Sequence, residues 1–237
     1  METINITKEQ LKSFRVIKKD NVWLFNNVVY KKDYTFERKK DLFEILKTFE
    51  ETKDCVLPDN NLYLNGNPFG YTTIYEKDKD RLTTLIQKGN LLYKDKLIII
   101  RELIRIIKDI HSIGLTHGDF HTDNILYSKK GIKLIDFDNA TLKGETIERY
   151  HIGKVKSDMA LLNINILNIL GDKTLTVESQ IVPFIKLLNI SDDFKSYLIA
   201  SISYKESVMD IYPDEFLGEI NGKVEEQTRK LIRSIKW

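Results

Sequence analysis

Carboxylate and amide side chains with spacing suited to chemistry lie in the middle of the 237-residue chain. The segment His117–Asn124 places Asp119 five residues before Asn124, and Asp136 follows twelve residues later. Carboxylate and amide oxygens are hard ligands that suit Mg²⁺, with phosphate and water completing its shell. A carboxylate such as Asp119 can accept a proton from an attacking hydroxyl, or orient it. These residue types therefore fit a metal site with a base beside it.

The chain between Asn124 and Asp136 is predicted to form a β-hairpin. Two short apolar runs, Ile125–Tyr127 and Ile132–Ile135, are joined by a polar stretch that contains Gly131. Because a hairpin brings its two ends together, we expect Asn124 and Asp136 to bind one Mg²⁺. A single Asp or Asn in a loop is usually a turn former or a helix cap, so the prediction depends on the whole spacing.

The two segments resemble the catalytic loop and the metal-binding motif of the protein-kinase-like superfamily. The family patterns are His-Arg-Asp-x-x-x-x-Asn and, further along the chain, Asp-Phe-Gly. This chain has His-Gly-Asp ending at Asp119, then Asn124, then Asp-Phe-Asp beginning at Asp136. The resemblance implies that Asp119 is the catalytic base and that Asn124 and Asp136 are the metal ligands.

The resemblance extends to the nucleotide phosphates. The run Val28–Lys31 is similar to the family's Val-Ala-Ile-Lys strand, which implies that Lys31 contacts the α- and β-phosphates of ATP. An acidic partner for this lysine is expected from the helix that follows. Glu37 is the first choice, and Glu44 remains an alternative because the spacing does not decide between them.

Two further expectations come from the resemblance. Tyr75, Glu76 and Lys77 stand at the hinge position, where backbone groups would meet adenine. Asp158 stands at the start of the family's central C-lobe helix, where it would anchor backbone amides of the catalytic loop. Its role would be structural.

The chain also departs from the family pattern. It has no glycine before the predicted phosphate lysine, so the turn at Lys18–Asn21 would have to hold ATP differently. Gly118 replaces the usual Arg, and Asp138 replaces the Gly of Asp-Phe-Gly. The stretch from Asp136 to Asp158 is too short for an activation segment. We therefore expect no switching by phosphorylation of such a segment.

The pattern of apolar residues predicts an α+β chain with a small β-rich lobe followed by a larger helical lobe, and the resemblance implies that this is the bilobal protein-kinase-like fold. Three β-branched and aromatic runs separated by Asp-Asn and Asn-Asn turns predict an antiparallel meander. Helical spacing then follows in Glu37–Phe49 and Lys94–Ser112. We expect a small antiparallel β-sheet N-lobe over residues 1–76 and a mainly helical C-lobe over residues 77–237.

The composition limits the partners. The formal net charge is only +2, so no nucleic acid partner is expected. The single Cys55 cannot form an intramolecular disulfide. The most apolar stretch, Met159–Leu170, is too short to cross a bilayer. A cytoplasmic protein without a membrane partner is expected.

Three functions are consistent with these residues. The leading hypothesis is an ATP- and Mg²⁺-dependent phosphotransferase that moves the γ-phosphate to a hydroxyl, with protein Ser or Thr as the favoured acceptor. A small-molecule kinase of the aminoglycoside or choline type is the second hypothesis. The third is a pseudokinase that binds partners without chemistry, which the glycine-free nucleotide loop motivates.

Overall fold

The structure is a computed structural model, and it describes residues 1–175 and 178–234. Residues 176–177 and 235–237 of the predicted C-lobe lie outside the described residues. The chain forms two compact units, one of Met1–Lys79 with Lys133–Asp138 and the other of Asp80–Ile132 with Asn139–Trp237. The α+β class is confirmed. The predicted division after residue 76 stays a prediction.

The first unit is built on a mixed six-stranded sheet with strand order β1-β5-β6-β4-β3-β2. Strand β1 pairs in parallel with β5, while the other neighbours are antiparallel. Two short helices, α1 (Lys8–Ser13) and α2 (Lys40–Leu46), complete the unit. The strands are β1 (Thr3–Ile6), β2 (Arg15–Lys18), β3 (Val22–Phe25), β4 (Val28–Lys32), β5 (Asn60–Leu64) and β6 (Asn67–Ile74).

The predicted meander is confirmed as β2, β3 and β4, and its turns contain no glycine. Asp20 has a φ of 62°, while Asn26 and Asn27 have φ values of 48° and 61°. Asp and Asn enter this left-handed region more easily than other side chains because their short polar groups can hydrogen-bond locally. Two consecutive left-handed residues are typical of the tight turn that suits the twist of a hairpin.

The helix predicted over Glu37–Phe49 is shorter in the structure. A 3₁₀ turn at Phe36–Arg38 precedes α2, which ends at Leu46. The hydroxyls of Thr48 and Thr52 donate to the carbonyls of Ile45 and Leu46. These acceptors would serve backbone N–H groups in a longer helix, so the threonines favour termination here.

The second unit is mainly helical. The predicted helix Lys94–Ser112 is confirmed as α4 (Tyr93–Ser112), and Gly114 follows it with a φ of 73°. The long helix α5 (Glu148–Gly171) is buried along most of its second half. The other helices are α3 (Leu82–Lys88), α6 (Glu178–Leu187), α7 (Asp192–Ile202) and α8 (Gly222–Ser234).

Short strands connect these helices. The hairpin strands predicted from the sequence are present as β9 (Ile125–Ser128) and β10 (Gly131–Leu134), and the chain passes to the first unit within β10. A three-stranded sheet has the order β10-β9-β7, and a two-stranded sheet pairs β11 with β8. The remaining strands are β7 (Asp80–Arg81), β8 (Leu115–Thr116) and β11 (Thr141–Leu142).

A fully buried ion-pair cluster links three helices of the second unit. The Lys96 ammonium on α4 lies 2.8 Å from Asp172 Oδ1 and 2.7 Å from Glu225 Oε1. It also donates to the carbonyl of Leu170 at 3.2 Å. Asp172 directly follows α5, and Glu225 lies on α8. The cluster therefore fixes the ends of these helices against α4.

Within the described residues, every helix is too short or too polar to cross a lipid bilayer.

Candidate functional site

Lys31 lies in β4 and faces two carboxylates of its own unit. Its Nζ is 2.5 Å from Asp136 Oδ1 and 2.6 Å from Asp138 Oδ2. It also lies 5.6 Å from the centre of the Tyr71 ring. Burial disfavours the ammonium, but the charges of Asp138 and Asp136 outweigh this and raise the pKa of Lys31. Lys31 is therefore a fixed positive charge beside Asp136.

Asp138 is part of this cluster although sequence analysis gave it no role. Its Oδ1 accepts a hydrogen bond from the Tyr71 hydroxyl at 2.6 Å, and its backbone carbonyl accepts one from Lys39 Nζ. Burial, followed by the charge of Asp138, raises the pKa of Tyr71. Asp136 has a φ of 69°, so the backbone turns sharply between the two acids. The sequence feature that could have indicated this role is the spacing of Asp136 and Asp138, which are separated by a single residue.

The acidic partner predicted for Lys31 has other contacts. Glu37 accepts a hydrogen bond from the Tyr63 hydroxyl at 2.9 Å and pairs with Lys40 at 3.2 Å. The alternative, Glu44, lies 2.7 Å from the Met1 amino group. The structure thus corrects the prediction, because Asp136 and Asp138 take the place expected for Glu37. The reason is the short α2, which leaves Glu37 on a separate 3₁₀ turn.

The second unit brings Asp119 and Asn124 together. Asn124 Nδ2 donates to the carbonyl oxygen of Asp119 at 2.9 Å and to its Oδ2 at 3.1 Å. The other carboxylate oxygen, Oδ1, lies 3.3 Å from His121 Nε2. The backbone carbonyl oxygen and Oδ2 of Asp119 can only accept hydrogen bonds, so the NH₂ end of Asn124 must face them. The Asn124 amide oxygen is then the end that can ligate a cation, which fits Mg²⁺.

Helix α5 holds the backbone of this loop. The fully buried Asp158 accepts the N–H of His117 at 2.7 Å and that of Gly118 at 2.8 Å. Asn165 Nδ2 donates to the carbonyl of Phe120 at 2.8 Å. The anchoring role expected for Asp158 is confirmed. Sequence analysis missed Asn165, whose signal was its place among three asparagines in the apolar run Met159–Leu170.

Gly118 is required by the space around it. Its φ is 76°, and a Cβ added there would lie 2.2 Å from the carbonyl oxygen of Asn139. A side chain at this position would collide with backbone, so an Arg could not occupy it without rearrangement. The departure from the family's His-Arg-Asp therefore has a structural cause.

The three hinge residues follow β6 directly. The Tyr75 N–H donates to the carbonyl of Asn27 at 3.0 Å, and the Glu76 carbonyl accepts the N–H of Lys79 at 3.3 Å. Lys77 is exposed. These bonds form a turn at the end of β6, and the adenine contact of this segment stays a prediction.

Comparisons with known proteins find similarity to phosphotransferases. Residues 66–143 match the model of a phosphotransferase enzyme family, abbreviated APH. A stretch of 77 residues, 32% of this chain, is 35% identical to the serine/threonine-protein kinase PRR2 of Saccharomyces cerevisiae. The match covers 11% of that yeast protein. The family match includes Asp119, Asn124 and Asp136 but not Lys31.

Proposed function

We propose that the chain is a protein-kinase-like phosphotransferase that transfers the γ-phosphate of ATP to a hydroxyl group with the help of Mg²⁺. The matched segment and the α+β architecture support this proposal. The favoured acceptor is a Ser or Thr of a protein. The observation that carries the proposal is the contact of Lys31 with Asp136, residues that are 105 positions apart. A lysine beside a metal-binding carboxylate is what a nucleotide phosphate site requires.

Mg²⁺ fits the residues assigned to it. Asp136 supplies carboxylate oxygens, and its side chain is 37% exposed. Asn124 supplies an amide oxygen, since its nitrogen is used by Asp119. Sparse oxygen ligation is usual for Mg²⁺, which takes further ligands from phosphate and water. When bound, the ion would neutralise charge on the nucleotide phosphates.

Asp119 has the role of base and orienting group. Its carboxylate is 35% exposed and held by Asn124, so an acceptor hydroxyl can reach it in a fixed position. Asp119 accepts the hydroxyl proton as the acceptor oxygen bonds to the γ-phosphorus. The bond from that phosphorus to the β–γ bridging oxygen breaks, and ADP leaves. Positioning and charge supply the rate acceleration.

Lys31 and the hinge segment have binding roles in this proposal. The Lys31 ammonium binds the α- and β-phosphates while it stays in contact with Asp136 and Asp138. Tyr75, Glu76 and Lys77 meet adenine through backbone groups. Glu37 is left outside the nucleotide site, in keeping with its contact to Tyr63.

A small-molecule hydroxyl is the second candidate acceptor, and the phosphotransferase family match over residues 66–143 favours it. The chain can be incubated with Mg²⁺ and γ-labelled ATP, with dephosphorylated casein in one set of reactions and kanamycin or choline in another. A labelled protein band supports the favoured acceptor, and a labelled small product supports the second.

A chain that shows neither label nor Mg²⁺-dependent ATP hydrolysis would contradict the phosphotransferase proposal. In that case a thermal-shift titration decides whether the nucleotide still binds. No response to ATP with Mg²⁺ would favour the pseudokinase hypothesis.

A further inference from the structure

A cavity of about 830 Å³ lies within the second unit, and the mechanism above does not use it. Its wall is formed by the end of α4, the start of α5 and the segment around residues 209–212. The lining side chains include His111, Tyr212, Ile152, Val155 and Met209. Polar and charged side chains, among them Lys108, His151 and Asp210, also line it, and His111 and Tyr212 hydrogen-bond to each other across it.

His111 joins two partners across this wall. Its Nδ1 lies 3.1 Å from the Tyr212 hydroxyl, and its Nε2 lies 3.1 Å from Asp158 Oδ2. A carboxylate can only accept, so Nε2 carries the proton in this contact. In the neutral ring Nδ1 is then an acceptor, and the Tyr212 hydroxyl donates to it. Burial, followed by the charges of Asp210, Asp158 and Asp214, raises the pKa of Tyr212 to about 12, so its proton is retained.

The hydrogen bonds continue from Asp158 into the catalytic loop. Asp158 Oδ2 accepts from both His111 and the His117 N–H, while Oδ1 accepts from the Gly118 N–H. Asp119 is the next residue along the chain. Three donors therefore hydrogen-bond to the one buried carboxylate of Asp158. The orientation of this carboxylate fixes the position of the backbone immediately before the proposed base, Asp119.

Tyr212 is itself held in place from the other side. Lys108 Nζ lies 5.3 Å above the centre of its ring and pairs with Asp214 at 2.8 Å. The hydroxyl is thereby directed at His111 by contacts from α4 and from the segment after Tyr212. The geometry is a continuous series, which we call the Tyr212–His111–Asp158 relay.

We propose that His111 and Tyr212 are positioning residues for phosphoryl transfer, acting through Asp158 on the loop that presents Asp119. This inference rests on the proposed function. The His111 ring lines the cavity, so a small solute could enter the space that the ring leaves when it is removed by mutation. Free imidazole can therefore take the place of a deleted His111 side chain.

The first test compares kinetics of variants. His111→Ala removes one donor from Asp158, and kcat for ATP turnover should fall about 10- to 100-fold because the base is displaced. The KM for ATP should stay within about 2-fold, since Lys31 and the hinge are unaltered. His111→Gln keeps a donor and should recover part of the loss. Tyr212→Phe should lower kcat by about 2- to 10-fold.

Met209→Ala is the matched control, because it enlarges the same cavity and Met209 takes no part in the hydrogen bonds of the relay. Its kcat should equal that of the wild type. Added imidazole at millimolar concentration should restore activity to His111→Ala and leave Asp119→Ala inactive. Rescue of this kind separates positioning from a general loss of folding.

Amide hydrogen exchange tests the relay without relying on activity. In His111→Ala the amides of His117 and Gly118 should exchange faster, while those in the middle of α4 should not change. If the wild type lacks phosphotransferase activity but this change occurs, the relay holds and the proposed function fails. Wild-type kcat together with unchanged exchange at His117 and Gly118 would overturn the relay.

Discussion

Lys31 and Lys96 are each held by two carboxylates, yet their surroundings differ. The Lys31 ammonium is 2.5 Å from Asp136 and 2.6 Å from Asp138, and the Lys96 ammonium is 2.8 Å from Asp172 and 2.7 Å from Glu225. The Lys31 side chain is 16% exposed and its partners 37% and 29%. The Lys96 side chain is fully buried, and its partners are 5% and 9% exposed.

The difference in exposure separates two uses of the same ionic pattern. Around Lys96 the charges are satisfied within the protein, since Arg229 also pairs with both Asp172 and Glu225. Burial opposes the charge of Glu225, but Lys96 and Arg229 outweigh it and lower the pKa of that carboxyl. Around Lys31 the cluster remains within reach of solvent, so phosphate can compete for the ammonium and a cation for the carboxylates. Loss of one partner from the closed cluster would leave buried charge uncompensated, whereas a half-open cluster suits a binding site.

Breaking the closed cluster should have the largest effect. Lys96→Met leaves Asp172 and Glu225 buried with less compensation, so the free energy of unfolding should fall by about 3–5 kcal/mol. Urea unfolding followed by circular dichroism measures this. The control is Lys94→Met, an exposed lysine on the same helix, which should change stability little. Equal stability of the two variants would remove the distinction between the clusters.

Breaking the half-open cluster should affect activity instead. Lys31→Met removes the charge proposed to meet the phosphates, and ATP turnover should fall about 10²- to 10³-fold. The melting temperature should change far less than in Lys96→Met. Lys32→Met is the matched control, because neighbouring side chains in a strand point to opposite faces. Equal losses in the two variants would argue against a phosphate role for Lys31.

Tyr71→Phe should have a smaller effect that refines the comparison. Asp138 loses its hydroxyl donor, so the free energy of unfolding should fall by about 1–3 kcal/mol. Tyr63→Phe removes a similar donor from Glu37, outside the Lys31 cluster. ATP affinity, measured by calorimetry, should change in Tyr71→Phe and stay constant in Tyr63→Phe. An ATP affinity that changes in Tyr63→Phe but not in Tyr71→Phe would indicate that Glu37 belongs to the nucleotide site.

The smallest effect is expected at alkaline pH. Because the pKa of Lys31 is raised in the fold above 10.5, its ion pairs contribute fully below that pH. As pH rises from 10.5 through the higher folded value, this contribution should be lost. The stability difference between wild type and Lys31→Met should therefore be constant up to that pH and shrink above it. A difference that shrinks already near neutral pH would contradict the assignment.

Local sequence signals were sufficient for much of this structure. The meander turns and α4 depend on short-range patterns, namely left-handed Asn and Asp residues and a long apolar face. Asp119 and Asn124 lie five residues apart, and their contact follows from one short loop. Such features require little knowledge of distant residues.

The remaining features depend on long-range packing. Lys96 pairs with Glu225 across 129 positions, and no local pattern indicates that a lysine on α4 is buried. Glu37 was expected from the resemblance as the partner of Lys31, but it lies on a 3₁₀ turn before α2 and contacts Tyr63 instead. Asp138 occupies a position where the family has glycine, so the family pattern gave it no role.

Mg²⁺-dependent ATP turnover by Asp136→Asn tests the central claim most directly. The substitution keeps the size of the side chain but removes the carboxylate proposed to hold the metal and to pair with Lys31. Asp192→Asn, whose parent side chain is 98% exposed on α7, is the control. The account predicts that Asp136→Asn abolishes turnover while the control keeps it. Full turnover in a folded Asp136→Asn protein would contradict the account.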